Sequence, residues 1–293
     1  MDKELERLRN KINSESIEDF DNLCASDMRI LLYTPFSEDS PLQYRKDIPE
    51  EILDDIGFFN LCEFLLHRLS RDKEIKLTTR NNLNTKIVTE IYKRKFTSER
   101  VMELKPRAIY RELDLGSLQN AMLIMCEFLG LMKKRKNKLS LTMKGQKFIT
   151  DLCRTEQLRL IFECYVHKFN WSYHDGYPEA PRIQSSIGYL LFLLLSHGTE
   201  ERPYQFYADK MIQAFPQLLR NFTATYATPE KQFSSCLEIR CFNRFLKWFD
   251  FVDKGHKGER DYSKPLFIKM NHLDKFIYLE PSNFLYSKSK FEA

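Results

Sequence analysis

Apolar residues recur every three or four positions along most of the chain, which is the spacing of a helix with one buried face. Residues 187–195 form a nine-residue apolar run, too short to span a bilayer, and therefore predict a buried helix. Pro49 is followed by two acids, and this pattern is typical of a helix start because acids favour the positive end of the helix dipole. The charged segment 2–12 lacks Gly and Pro and also favours a helix.

Three short segments with alternating or β-favouring residues interrupt the helical pattern. They lie at 75–78, 139–142 and 265–270, and each predicts a short strand. Each segment closely follows a strongly apolar helix, so the recurrence predicts an internal repeat.

The clearest repeat unit lies in the middle of the chain. It reads as a short helix, a turn, a helix capped by Ser117 and ended by Gly130, a basic hairpin, and a final helix. The corresponding segments are 105–113, 114–116, 117–130, 131–142 and 143–153.

This order resembles the winged helix-turn-helix superfamily, in particular through the hairpin ending "GLM…LT-x-KG". A second copy lies near the C-terminus, where "WFDFVDK…LFIKMNHLDKFI" matches "FLGLMKK…LSLTMKGQKFI". A weaker third version occupies residues 61–92. The resemblance implies a mainly α fold of tandem winged-helix-like units, each with helices and a small β-hairpin wing, joined by a helical middle.

From about residue 50 the chain also resembles a group of bacterial proteins without an established activity, some related to a plasmid-borne open-reading-frame family. The segments "IKLTTRNNLNTKIV", "GLMKKRKNKLSLTMKGQKF" and "FNWSYHDGYPE" carry this resemblance, which transfers no catalytic residue. The expected divisions are a lead-in at 1–50, a degenerate winged helix at 51–104, a winged helix at 105–153, a helical middle at 154–227 and a C-terminal winged helix at 228–293.

The positive charge of the chain is concentrated in one segment. The net charge is +5, but residues 133–147 alone carry seven cations and no acid, so the rest of the chain has a net charge of −2. A local basic patch is typical of a surface that binds phosphates or another anionic partner. The 43% hydrophobic content excludes wholesale disorder. Only 9 Gly are present, in neither a Rossmann nor a P-loop pattern, which argues against the common nucleotide enzymes.

The basic hairpin is predicted to present its charge to DNA. Lys and Arg in a wing neutralise phosphates and add salt-dependent affinity without sequence information. A solvated hairpin whose lysines only maintain solubility is the alternative, and the sequence leaves it open. The candidate phosphate-binding residues are Lys133, Lys134, Arg135, Lys136 and Lys138, extended along the next helix by Lys144 and Lys147.

The helix that begins at Ser117 offers few groups for reading bases. Besides Ser117, only Gln119 and Asn120 could contact base edges, and the remaining residues are almost all apolar. Because a helix that is apolar all round is usually buried, we expect this helix to pack against a neighbour.

The C-terminal helix is the better candidate for base recognition. Its core stripe is predicted from the helical spacing of Leu237, Cys241, Phe245 and Trp248. A second face carries Arg and Asn, which suit guanine and adenine edges in the major groove, although basic residues on an exposed helix are also ordinary. The candidate residues are Arg240, Asn243, Arg244 and Lys247, with Lys257 and Arg260 in the following wing.

Two further groups of residues could carry chemistry. His167, His174, Asp175 and Glu179 surround an aromatic loop, but their spacing matches no metal or acid–base motif, so a structural or partner-binding loop is favoured. The seven cysteines form no C-x-x-C pair and are odd in number, which favours free thiols in a reducing cytoplasm.

These patterns lead to one leading function and one alternative. We expect a non-enzymatic, cytoplasmic, bacterial-type protein that binds double-stranded DNA, acts as a regulator or mobile-element accessory, and needs no cofactor, metal or membrane. The alternative is a winged-helix scaffold for protein–protein interaction without DNA binding, in which self-association remains open.

Overall fold

The computed structural model describes residue 4 and residues 12–96, 117–173, 175–224, 227–255 and 265–280. The predicted helix at 105–113 lies outside the described residues, as do nearly all of the predicted helix at 2–12 and the tip of the C-terminal hairpin.

The fold is mainly helical and contains small antiparallel sheets, as the sequence predicts. The described α-helices are α1 Ala25–Tyr33, α2 Glu50–Asp55, α3 Gly57–Asp72, α4 Thr85–Arg94, α5 Ser117–Phe128, α6 Met143–Asp151, α7 Arg154–His167, α8 Pro181–Ser185, α9 Ile187–His197, α10 Tyr204–Ala214, α11 Pro229–Leu237 and α12 Asn271–Phe276. The described strands are β1 Leu42–Tyr44, β2 Glu74–Lys76, β3 Met132–Arg135, β4 Lys138–Leu141, β5 Arg202–Pro203, β6 Val252–Lys254, β7 Leu266–Lys269 and β8 Ile277–Leu279. Short 3₁₀ helices cover Glu18–Phe20 and Pro216–Asn221.

The chain divides into two compact units. The central unit comprises residues 47–170 and 248–250, and the terminal unit comprises residues 1–46, 171–247 and 251–293.

The core of the central unit is built from α3, α5 and α7. Aromatic side chains fill it: Phe58 stacks on Trp248 with ring centroids 5.9 Å apart, and Phe162 meets Phe249 edge-on at 5.4 Å. All four side chains are removed from solvent, and such aromatic pairs add stabilisation beyond the area that they bury.

The sheet of the central unit has the strand order β2–β4–β3, and both pairings are antiparallel. Strand β2 comes from the predicted unit at 51–104, whereas β3 and β4 come from the predicted unit at 105–153. The two segments therefore share one sheet and one core, and the predicted boundary between them does not separate two units.

The terminal unit is built around α9, whose residues 187–194 are all buried. This confirms the prediction of a buried helix from the apolar run. A Cβ on Gly188 would lie 2.2 Å from the carbonyl oxygen of Leu31, so the glycine permits a close approach of α9 to α1. A three-stranded sheet of order β5–β7–β6 and the antiparallel pair β1–β8 complete the unit.

The C-terminal helix differs from its prediction at its start. It begins at Pro229, where the Thr228 hydroxyl accepts a hydrogen bond from the Lys231 N–H. The sequence from residue 234 onward reads as a helix capped by a serine, and that predicted start is wrong. After α11 the chain continues as a π-helix over Glu238–Leu246. The predicted core stripe is confirmed, since Leu237, Cys241, Phe245 and Trp248 are at most 1% exposed.

All seven cysteines are free thiols. Five of them are buried, and Cys24 is half-buried, whereas Cys153 is exposed. The buried ones behave as the small hydrophobes that their apolar surroundings predict.

Candidate nucleic-acid interface

The basic hairpin begins at a glycine cap on α5. Gly130 has a φ of +69°. Glycine adopts this left-handed conformation without a steric penalty because it has no Cβ. Its N–H donates to the Glu127 carbonyl at 2.9 Å, and the Leu131 N–H donates to the Cys126 carbonyl, also at 2.9 Å. These two bonds form a Schellman motif, which confirms the predicted C-cap and directs the chain into β3.

A two-residue turn connects β3 to β4. Lys136 and Asn137 have φ values of 50° and 56°, and positive φ at both central positions defines a type I′ turn. This turn matches the right-handed twist of the flanking strands, so the hairpin is tight and places Lys136 at its tip.

Thr142 connects the base of the hairpin to the start of α6 through two hydrogen bonds. Its hydroxyl donates to the Gly130 carbonyl at 2.6 Å and accepts from the Gly145 N–H at 3.0 Å, which also caps α6. A Cβ on Gly145 would lie 2.0 Å from the Leu131 carbonyl oxygen. The "LT-x-KG" segment therefore holds α6 directly against the start of the hairpin.

The sheet arranges its cations in a row. Lys76 in β2 is directly opposite Lys138 in β4, which is directly opposite Arg135 in β3. Directly opposed residues project from the same face of a sheet, so these three side chains share one face. The row contains Lys76, which no pattern in the sequence places beside the hairpin, because its position depends on pairing with a strand more than sixty residues away.

A second row lies beside the first on the same face, since positions two apart along a strand point the same way. We call the face formed by both rows the cation face; its residues are Glu74, Lys76, Lys133, Arg135, Lys138 and Ser140. The opposite face carries Ile75 and Leu139, which are at most 4% exposed. Burial of this apolar side fixes the register and therefore keeps the cations outward.

Acids from other segments pair with two of the predicted cations. Lys138 Nζ lies 2.6 Å from Glu74 Oε1, and Lys134 Nζ lies 2.9 Å from Glu127 Oε1. The expectation that no acid offsets the hairpin charge is therefore wrong for these two. Both pairs are substantially exposed, and exposed ion pairs contribute only about 0–1 kcal/mol, so a phosphate can replace either acid.

The other three hairpin cations are exposed and form no ion pair with any acid in the described residues: Lys133, Arg135 and Lys136. Lys144 and Lys147 are likewise exposed on α6, where a spacing of three residues places them on neighbouring positions of the helix surface. The hairpin and α6 thus present more positive charge than the nearby acids neutralise.

Helix α5 is buried, as expected. Ala121, Met122, Met125 and Cys126 are inaccessible to solvent, and the helix packs between α3 and α7. Asn120 is half-buried, while the side chains of residues 117–119 lie outside the described residues. Phe128 is 52% exposed at the end of the helix, next to the acid Glu127.

Arg240 does not face solvent, so its predicted role in reading bases is wrong. Its side chain is 2% exposed and forms an ion pair with Asp175, whose side chain is fully buried. Two guanidinium nitrogens reach the carboxylate: Nε donates to Oδ2, and Nη2 donates to Oδ1 at 3.3 Å. Nη2 also donates to the Pro178 carbonyl at 2.8 Å. The two Arg240 nitrogens that could donate to a guanine edge therefore already donate to the carboxylate of Asp175.

The other predicted residues of this helix are engaged within the terminal unit. Arg244 Nη1 donates to the Tyr173 carbonyl at 2.7 Å. Asn243 Nδ2 lies 3.2 Å from Glu238 Oε1, and Lys247 Nζ lies 2.7 Å from Asp253 Oδ1. All three side chains are half-buried. Lys257 and Arg260 lie outside the described residues.

The acid of the aromatic loop, Asp175, forms hydrogen bonds that stabilise the loop. Asp175 accepts the Tyr177 N–H at 2.9 Å in addition to its bonds with Arg240, and Trp171 stacks on Phe245 at 4.8 Å. A carboxylate fixed in this way is not placed for acid–base chemistry, which favours the structural interpretation of the loop. His174 lies outside the described residues.

Within the described ranges, no group of three or more His, Cys, Asp or Glu residues converges on a point where a metal could bind. Among the helices that the structure describes, none combines the length and apolar character of a bilayer-spanning segment.

The chain matches no protein-family model, and neither a curated protein nor a solved structure is significantly similar to it.

Proposed function

We propose that the protein is a non-enzymatic, cytoplasmic DNA-binding protein that contacts the duplex through the cation face and the hairpin tip. The observation that carries this proposal is the composition of that face, which places four cations and one acid on six neighbouring positions. A surface of this kind displaces counterions from DNA, and the released ions supply most of the binding free energy at low salt.

The order of elements supports a tandem winged-helix architecture. The central unit runs helix, strand, helix, helix and hairpin through α3, β2, α4, α5, β3 and β4. The terminal unit repeats this order through α9, β5, α10, α11 with its π-helical extension, β6 and β7. In both sheets the last strand lies in the middle. In this proposal the weak repeat at 61–92 is the first half of the central unit rather than a third copy.

The proposal places DNA contact in the central unit alone. Base reading by the C-terminal helix is not part of it, because Arg240 is committed to Asp175. The hairpin cations remain, since their chemistry requires only an exposed positive charge near a phosphate.

The alternative of a protein-interaction scaffold rested on the apolar character of α5 and on the aromatic loop as a contact surface. In that loop, Asp175 is bonded to Arg240 and Trp171 stacks on Phe245. Packing of this helix between α3 and α7 accounts for its burial within the unit. The helix therefore does not call for a partner protein, and the cation face favours DNA.

A triple variant tests the proposal: Lys133→Gln, Arg135→Gln and Lys136→Asn. Asn tolerates the positive φ of the turn, and the two Gln replacements retain length without charge. Fluorescence anisotropy with a labelled duplex, repeated over a series of salt concentrations, gives the slope of log K against log salt. We expect that slope to become less steep by about 2.7, because each phosphate contact contributes about 0.9.

Two exposed lysines outside the hairpin provide a control for loss of positive charge elsewhere on the surface, as the double variant Lys168→Gln and Lys231→Gln. This control should keep the wild-type affinity and slope. If the triple variant also keeps them, the hairpin does not bind DNA and the proposal fails.

A further inference from the structure

We infer that the cation face binds the two sugar–phosphate backbones of duplex DNA without regard to base sequence, and that Lys76 holds one end of the contact. This inference rests on the proposed function and specifies what the same surface recognises.

The width of the cation row suits two backbones. Strands in a sheet lie about 4.8 Å apart, so the backbones of Lys76 and Arg135, at the two ends of the row, are separated by roughly 10 Å. The grooves of B-DNA are about 6 Å and 12 Å wide. Long side chains at the ends of such a row can therefore reach phosphates on opposite strands, with Lys138 between them. A single strand offers only one line of phosphates to this row.

The chemistry of the face favours phosphates over bases. Apart from its cations, the face carries only Glu74 and Ser140. Stable binding of unpaired bases uses aromatic side chains as stacking platforms, and none of the six positions is aromatic. The face is also three strands wide, whereas the major groove admits a two-stranded ribbon, so the face rests on the rims of a groove instead of entering it.

Among the residues that the structure describes, the two arginines of the C-terminal helix that suit base reading are already engaged. Arg240 is bonded to Asp175, and the Arg244 guanidinium to the Tyr173 carbonyl. Helix α5, which would follow the turn in a winged helix, is buried along its apolar side and carries Glu127 near its end.

The test uses the full chain and duplexes of about two helical turns with A·T-rich, G·C-rich and mixed sequences, together with a single strand of the same length. Anisotropy titrations at several salt concentrations compare the wild type with Lys76→Gln. Lys76 is exposed, so the variant should unfold at the wild-type temperature, and this is checked by circular dichroism.

We expect the three duplexes to bind within about threefold of one another, and each more tightly than the single strand, because phosphate contacts carry no sequence information. Lys76→Gln should weaken all three by the same factor, up to about eightfold at 0.1 M salt, and reduce the slope by about 0.9. The Lys168→Gln and Lys231→Gln control should change neither quantity.

The results that would overturn the inference differ from the result that would overturn the proposed function. A preference of more than about tenfold for one duplex would reveal base reading and overturn the inference, while DNA binding itself would stand. Tighter binding of the single strand, or an unchanged affinity in Lys76→Gln, would overturn it in the same way. If no duplex binds the wild type with a salt-dependent affinity, the proposed function fails together with the inference.

Discussion

Arg240 and Asp175 form an ion pair that is almost completely removed from solvent, with side-chain exposures of 2% and 0%. The pair joins the π-helix at Glu238–Leu246 to the aromatic loop 65 residues earlier. Because each charge is desolvated, each depends on the other, and the loop and the helix are expected to lose their structure together.

Removing one partner should therefore be costly. Asp175→Ala leaves a buried guanidinium without its carboxylate, and we expect it to lower the free energy of unfolding by about 3–5 kcal/mol. Urea denaturation of wild type and variant measures the change. The double variant Arg240→Met with Asp175→Leu replaces both charges by apolar groups and should recover most of the loss.

A matched control uses an exposed ion pair. Arg94→Gln breaks the pair with Glu90, in which the arginine is 54% exposed, and also removes its contact with the face of the Phe64 ring. The two losses together should cost no more than about 1–2 kcal/mol. Equal losses in Asp175→Ala and Arg94→Gln would mean that burial of the Arg240 pair is unimportant for stability.

The same pair shows where prediction from sequence stops. The spacing of apolar residues correctly predicted the buried helix α9, and local turn chemistry correctly predicted the cap at Gly130, because both depend on residues close together in the chain. Helical periodicity assigned Arg240 to an outer face because a charge is normally solvated. Its actual partner is Asp175, and no pattern within one helix indicates a carboxylate from a distant loop.

The cation face illustrates the same limit. The positive hairpin is evident in the sequence, and its two strands follow from alternation around a turn. Lys76 joins them only because β2 pairs with β4, and pairing between distant strands depends on the packing of the whole unit. Glu74, which offsets part of the charge, was missed for the same reason. Glu127 was missed because it belongs to the preceding helix and meets Lys134 only where the chain reverses at Gly130.

Gly145 should not tolerate a side chain. In an ordinary helix interior, alanine is favoured over glycine by about 1 kcal/mol. Here, however, a Cβ would lie 2.0 Å from the Leu131 carbonyl oxygen, so the backbone of α6 or of the hairpin must shift. We expect Gly145→Ala to destabilise the protein by about 1–3 kcal/mol in urea denaturation.

The control for this substitution is Met143→Ala on the same helix. The Met143 side chain is 83% exposed, and its truncation should change stability by no more than about 0.5 kcal/mol. A gain in stability for Gly145→Ala would show that α6 does not press against Leu131 in solution.

Buried thiols should make the protein less stable in alkali. Burial raises the pKa of Cys164 from an ordinary value of 9.0 to about 11. Its contribution is present in full below pH 9, where both states keep the proton, and is lost as the pH rises from 9 to 11, because the unfolded thiol ionises first. The loss should be on the order of 2 kcal/mol.

Urea denaturation at a series of pH values between 8 and 11 can isolate this contribution by comparing wild type with Cys164→Ala. The variant should be less stable at neutral pH, but the gap should narrow as the pH rises. Cys153→Ala changes an exposed thiol that caps α7, so it can lower stability by the cost of a lost cap, but its difference from wild type should not narrow as the pH rises. A constant gap between wild type and Cys164→Ala would contradict a raised pKa at this thiol.

Glu74 should limit DNA affinity, because it is the acid on the cation face and its Oε1 lies 2.6 Å from Lys138 Nζ. A phosphate must displace this carboxylate to engage Lys138. Glu74→Gln removes the competitor and should tighten duplex binding by up to about eightfold at 0.1 M salt, with a slope steeper by up to about 0.9. Glu179→Gln, which neutralises an exposed acid in the aromatic loop, should leave both quantities unchanged. Anisotropy titrations over salt measure the effect. If Glu74→Gln instead weakens binding, the carboxylate positions Lys138 for the phosphate rather than competing with it.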